Sequence, residues 1–140
     1  MIMGIVDYLD AMERLFFLSP VVRSFQVRER EERLQEGFIR VRAVLSNGDI
    51  LEAFEFVLAY PYAIQTQTYR IHWQGADGQL KRRWDNAPHY PNILTFPHHV
   101  HVGPSEHVES AEDMNMAKAL VLVEAEILRA ERPASSPDHG

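Results

Sequence analysis

The sequence contains no cysteine. That excludes a disulfide framework, a thiolate metal site and a cysteine nucleophile, and it fits a cytoplasmic chain. Long apolar runs are also missing: no stretch reaches the roughly 18 residues that a membrane-spanning helix needs. The opening segment, MIMGIVDYLDAMERLFF, is apolar, but it has no basic start and no small-residue cleavage site. It carries Asp7, Asp10 and Glu13, so it does not read as a signal peptide. Nor is there an excess of positive charge. Fourteen basic against twenty acidic side chains give a net charge of −6, which argues against binding nucleic acid by bulk charge.

What is present is a 140-residue chain with 46% hydrophobic content, the size and composition of one globular domain with a core of its own. The charge is unevenly spread. Residues 1–66 carry seven basic and ten acidic groups, and residues 102–140 carry three and eight. Residues 67–101 carry four basic groups against two acidic ones, and five of the seven histidines. An acidic body with one basic, histidine-rich stretch points to a local anionic ligand, the plain alternative being a solvated hairpin.

The periodicities outline an α+β domain over residues 1–130, with 131–140 a disordered polar tail. Residues 3–18 follow a 3.6-residue period through Ile5, Leu9, Met12 and Phe16, and Ser19-Pro20 ends that helix. The period then changes to two. FIRVRAVL puts Ile39, Val41, Ala43 and Leu45 on one face and Arg40 and Arg42 on the other. Asn47-Gly48 marks a type I′ hairpin turn. The returning strand, Ile50 to Tyr60, reads with Ile50, Phe54, Phe56 and Leu58 on one side. In residues 63–74, Tyr69, Ile71 and Trp73 alternate with Arg70, His72 and Gln74. Further short strands are expected at 79–84 and 97–102. Ser110 reads as the N-cap of a last helix with Ala117, Leu120, Val121, Glu124 and Leu128 on one stripe and Val123 and Ile127 beside it. The expected fold is therefore an antiparallel meander of about five to six strands with an N-terminal and a C-terminal helix packed on one face. The other face, bearing Arg40, Arg42, Arg70, His72 and Gln74, would stay open.

The segment RRWDNAPHYPNILTFPHHVH, residues 82–101, is dense in histidine and proline. Its prolines imply a rigid loop, and rigid loops on a sheet often carry function. His99 and His101 are two apart and share one side of a strand, a spacing that suits two imidazoles on one divalent metal; His89, Asp85 or His72 could add a ligand. Without a metal, His89, His99 and His101 are acid–base candidates near neutral pH, with Asp85 to orient an imidazole. Arg70, Arg82 and Arg83 could neutralise a phosphate, Trp84 could stack on a base, and Asn86 could bind a polar substrate group. Each has a plainer role: Trp84 as a core aromatic, Asp85-Asn86 as an Asx turn, and the arginines as a solvated strand edge.

The pattern Y-R-I-H-W-Q-x-x-D-G-Q-L-x-R-R-W-D-N-A-P-H-x-P…F-P-H-H-x-H, from Tyr69 to His101, resembles the TumE family of toxins from prokaryotic type II toxin–antitoxin modules. The blocks Trp84–His89 and Phe96–His101 carry it, and Tyr90 stands where a second histidine sometimes occurs. The resemblance implies a small cytoplasmic toxin and a cognate antitoxin that is a helix-turn-helix protein. The histidines and arginines add an expectation of ribonuclease chemistry on RNA. Two readings compete with it: a non-catalytic module that docks a protein or nucleic acid, and a metal-binding protein using the His-X-His strand. Self-association into a homo-oligomer is a further candidate.

Overall fold

A computed structural model describes residues 3–133 of the chain; of the expected tail, 134–140 lies outside the described residues. Helix α1 spans Ile5–Leu18. The strands are β1 (Val22–Glu32), β2 (Glu36–Leu45), β3 (Ile50–Tyr60), β4 (Ala63–Gln74), β5 (Leu80–Asp85), β6 (His99–Val102) and β7 (His107–Ser110), and helix α2 spans Met116–Glu131. The strands form one sheet in sequence order, each pairing antiparallel with the next. Short connections join all successive strands except β5 and β6, and a tight turn can only return the chain antiparallel; residues 86–98 link β5 to β6. Among the described residues no helix is long and apolar enough to cross a membrane.

Both helices lie on one side of the sheet. α1 buries Ile5, Leu9, Met12 and Phe16, the residues its period placed on one stripe. Under the helices the sheet buries Ile39, Val41, Leu51, Val57, Ile71 and Trp84 at 3% exposure or less. Among the described residues no helix covers the opposite side, where only the β5–β6 loop lies against the β5–β6 end through Tyr90, which leaves a two-layer α+β domain.

The sheet has seven strands rather than five or six. The extra one is β7, four residues (HVES) too short and too mixed to show a period. Its presence moves the start of α2. Ser110 ends β7, and the cap is Asn115, whose Oδ1 accepts a hydrogen bond from the Lys118 N–H at 2.8 Å. The buried stripe of α2 moves with it, to Met116, Ala119, Leu120, Val123 and Ile127, leaving Val121 and Leu128 exposed.

Ile50, Phe54, Phe56 and Leu58 do share one side of β3, and it is the open side, where they are partly buried; the helix-covered residues are Leu51, Ala53, Glu55 and Val57. Both parities of that strand are apolar, so alternation could not assign its faces. One further expectation is corrected, at the β2–β3 turn. At the β2–β3 hairpin only Gly48 has positive φ, at 90°, and its N–H donates to the Leu45 carbonyl at 2.9 Å. That is a type I turn closed by a left-handed glycine. A type I′ turn would need positive φ at two residues.

Candidate functional site

In an antiparallel ladder, directly opposed residues project to the same side. The register therefore composes two neighbouring rows across the open face. One runs Gln26, Arg42, Glu52, His72, Arg83, His101, Val108 from β1 to β7. The other runs Glu29, Arg40, Phe54, Arg70, Asp85, His99, Ser110. Four arginines and three histidines, separated by as many as 61 positions in sequence, share this surface. A depression of about 230 Å³ between β2 and β4 is lined by Arg40, Arg42, Glu52, Arg70, His72 and Gln74. Arg42 pairs with Glu52 at 3.3 Å and Arg40 with Glu29 at 3.6 Å, and the Arg40 guanidinium sits 4.7 Å above the Phe54 ring. Arg70 is exposed and enters no ion pair among the described residues.

At the β5–β6 end of the rows Asp85, His99 and His101 come together. Asp85 Oδ1 lies 2.9 Å from His99 Nε2, and Oδ2 lies 3.6 Å from His101 Nε2. One nitrogen or oxygen from each of the three residues falls within 4.8 Å of the others. The two imidazole rings meet nearly edge-on, with centroids 5.0 Å apart. Tyr90, from the loop between β5 and β6, lies edge-on to both, 4.8 Å from His99 and 5.8 Å from His101. His99 is 1% exposed and His101 is 9% exposed, so His99 acts within the cluster and cannot itself touch a large substrate.

Hydrogen bonds fix the orientation of the cluster. His99 Nδ1 lies 3.0 Å from the Pro97 carbonyl. A carbonyl only accepts, so Nδ1 carries a hydrogen and Nε2 is the nitrogen turned toward Asp85. Although Asp85 Oδ1 is 2.9 Å away, it lies off the hydrogen-bond direction, and the buried Nε2 has no aligned partner. A hydrogen bond depends on its angle as well as its length, so this contact is not one. Asp85 Oδ1 also accepts from the Ala87 N–H at 3.0 Å, the Asx turn that starts the loop. Burial, with the Arg83 guanidinium next in effect, pushes the His101 imidazole below its ordinary pKa, against the opposing pull of Asp85.

The remaining candidate residues are dispersed. His89 is exposed on the loop, its ring 6.5 Å from Tyr90. Arg83 is on the open face, beside His101 in register and 3.6 Å from Glu106. Arg82 projects to the helix side, where it pairs with Glu126 of α2. Trp84 is 3% exposed in the core, opposite Ile71 and Val100, where no base can reach it. Asn86 continues the sheet past β5: its Oδ1 accepts from the Tyr69 N–H at 3.1 Å and its Nδ2 donates to the Gln67 carbonyl at 3.0 Å. His98 points to the helix side and shares a 2.8 Å hydrogen bond with the Tyr69 hydroxyl. Burial raises that hydroxyl's pKa to about 12. The sequence reading missed Tyr90 as a cover over the histidines, and the Pro97 carbonyl as the group that orients His99. The long connection between β5 and β6 hid both, since its length does not set the register.

The fold and the site together define a class: a small α+β protein whose uncovered antiparallel face carries arginine rows ending in an aspartate–histidine–histidine cluster. The sequence profile described as Toxin TumE matches residues 12–131, and the chain belongs to that family. No curated protein and no solved structure matches it.

Proposed function

We propose that this chain is the toxin of a prokaryotic toxin–antitoxin module and that it cleaves RNA on the open face of its sheet. One observation carries the reading. The register puts Arg40, Arg42, Arg70 and Arg83 on the same face as Asp85, His99 and His101. Phosphodiester cleavage needs cations to neutralise the phosphate and a reacting centre next to them. Arg70 directly precedes Asp85 in one row, and Arg83 directly precedes His101 in the other, so a strand held by these guanidiniums is brought to the cluster. The acidic remainder of the chain confines the attraction to this face. A cognate antitoxin, a helix-turn-helix protein, holds the toxin harmless in the cytoplasm.

The test is induced expression in a bacterium without the antitoxin, following growth and total RNA together for the wild type, Asp85→Asn and Arg70→Ala/Arg83→Ala. Growth arrest with RNA fragments, lost in both variants while the proteins stay folded, is the expected result. Arrest with intact RNA would replace cleavage with sequestration through the same face. Arrest unchanged in both variants would remove this face from the mechanism.

A further inference from the structure

We infer that Asp85, His99 and His101 bind one divalent transition-metal cation, with Zn²⁺ and Mn²⁺ favoured over Mg²⁺ and Ca²⁺. This names the reacting centre of the site proposed above, but it stands on geometry that does not depend on RNA.

The argument begins with His99 Nε2. Its partner nitrogen donates to the Pro97 carbonyl at 3.0 Å, so in the neutral ring Nε2 presents a lone pair. A carboxylate oxygen lies 2.9 Å away but beside the lone pair's direction, so that the lone pair points to a spot next to the oxygen rather than at it. Two acceptors buried this closely repel unless a positive charge sits between them. No side chain supplies that charge: Nε2 has no aligned partner among the described residues, and Arg83 is turned to Glu106. The separations suit a shared cation. Two ligand atoms each about 2.1 Å from one metal are roughly 3.0 Å apart at a right angle and roughly 3.4 Å apart at the tetrahedral angle. The observed separations are 2.9 Å from His99 Nε2 to Asp85 Oδ1 and 3.6 Å from His101 Nε2 to Asp85 Oδ2, so the carboxylate would meet the cation through both oxygens or turn one of them toward it.

The surroundings are also those of a metal centre. A ligating imidazole usually donates its other N–H to a backbone carbonyl or carboxylate, which fixes the tautomer; Pro97 does this for His99. The Ala87 N–H does the equivalent for the Asp85 carboxylate. Two neutral imidazoles and one carboxylate leave a single negative charge for a dication to offset, and two nitrogen ligands select against Mg²⁺ and Ca²⁺, which prefer oxygen. Three protein ligands leave a coordination position for water or a phosphate oxygen. Tyr90 limits access from the loop side.

The test uses the full chain without a histidine tag, stripped with chelator and titrated with Co²⁺, whose visible bands report its ligands, and then with competing Zn²⁺. We expect one Co²⁺ per chain, displaced by Zn²⁺, and a rise in the thermal midpoint with either ion. His101→Ala and Asp85→Asn should each weaken binding at least tenfold, since even losing an outer-shell partner typically costs about 10–100-fold. The exposed pair His107–Glu109 is the control, and His107→Ala should leave the titration unchanged. Thermal melts of both ligand variants separate lost binding from lost folding. No Co²⁺ bands and no thermal shift would overturn the site, leaving a protonated His99 beside Asp85. Binding that survives both ligand variants but falls in His107→Ala would also overturn it. Stoichiometric metal without RNA cleavage would leave this centre standing and remove the ribonuclease reading. Cleavage that persists in protein stripped of metal and held in excess chelator would leave the ribonuclease reading standing and overturn this centre as its reacting group.

Discussion

Asp85 shows how little a side chain's chemistry says before its neighbours are known. In sequence it is an Asx-turn former before Asn86-Ala87-Pro88, and it does form that turn. The same carboxylate also closes the two-histidine cluster, because the register sets it opposite His99. His99 and His101 were legible as a pair from their spacing alone. Arg82 and Arg83 were legible only as adjacent cations, and strand parity sends them to opposite faces. This difference gives a direct comparison. Arg70→Ala should weaken binding of a labelled single-stranded RNA, measured by anisotropy, and flatten its log–log salt dependence by about 0.7 per lost phosphate contact. Arg82→Ala should leave the RNA isotherm unchanged, because its guanidinium is on the helix side with Glu126. Glu55 makes the same point inside the core. It is 0% exposed and accepts from the Tyr8 and Thr66 hydroxyls and from the Met116 N–H. Burial and the adjacent carboxylate raise the Tyr8 pKa far above its usual value. Glu55→Ala would leave the buried Met116 N–H and two half-buried hydroxyls without their acceptor, so it should destabilise the fold by about 3 kcal/mol in chemical denaturation. Glu55→Gln, which keeps an acceptor, should cost less.

At the scale of elements, the sequence was most readable where one strong period ran long. α1 and strands β2 and β4 announced both their extent and their buried residues. Short or two-sided elements did not. β7 is four residues long, β3 is apolar on both parities, and the serine that reads as the start of α2 belongs to β7. The cap now found makes a quantitative expectation. Asn115→Ala removes the acceptor for the Lys118 N–H and should lower stability by about 1 kcal/mol in urea titrations. Gly37 of β2 sits directly under α1. A Cβ placed there would lie 2.7 Å from Ile5 Cγ2 and 2.8 Å from the Glu31 carbonyl, so the helix could not stay seated. Gly37→Val should lower the thermal midpoint, with a cost of about 1–3 kcal/mol typical of an overpacked core. A wild-type melt for that variant would mean that α1 can move away freely.

For the whole molecule, the relevant quantity is the contrast between a net charge of −6 and one face bearing four arginines. Bulk attraction cannot hold RNA, so contacts should be few and countable. With about 0.7 counterions released per phosphate on a single strand, four arginines set an upper limit near 3 for the salt-dependence slope of RNA binding. A steeper slope would place part of the RNA beyond this face. Composition gave the charge, and alternation gave much of which cations share a face. It could not tell that the two ends of that face meet a single carboxylate, because pairing across the long β5–β6 loop is decided by tertiary packing. Trp84 and Val100 take the core side of the same two strands whose other side carries the cluster.

The separation of Asp85 from His99 along the chain also governs when the site comes into being. A ribosome delivers the arginines of β2 and β4 and the carboxylate of β5 first. Both imidazoles follow only after the whole intervening loop has been made. A chain cut short between residues 83 and 98 holds every arginine of the face and still lacks both histidines of its cluster. Under the function proposed above, the face that would hold a substrate is therefore made before the centre that would act on it.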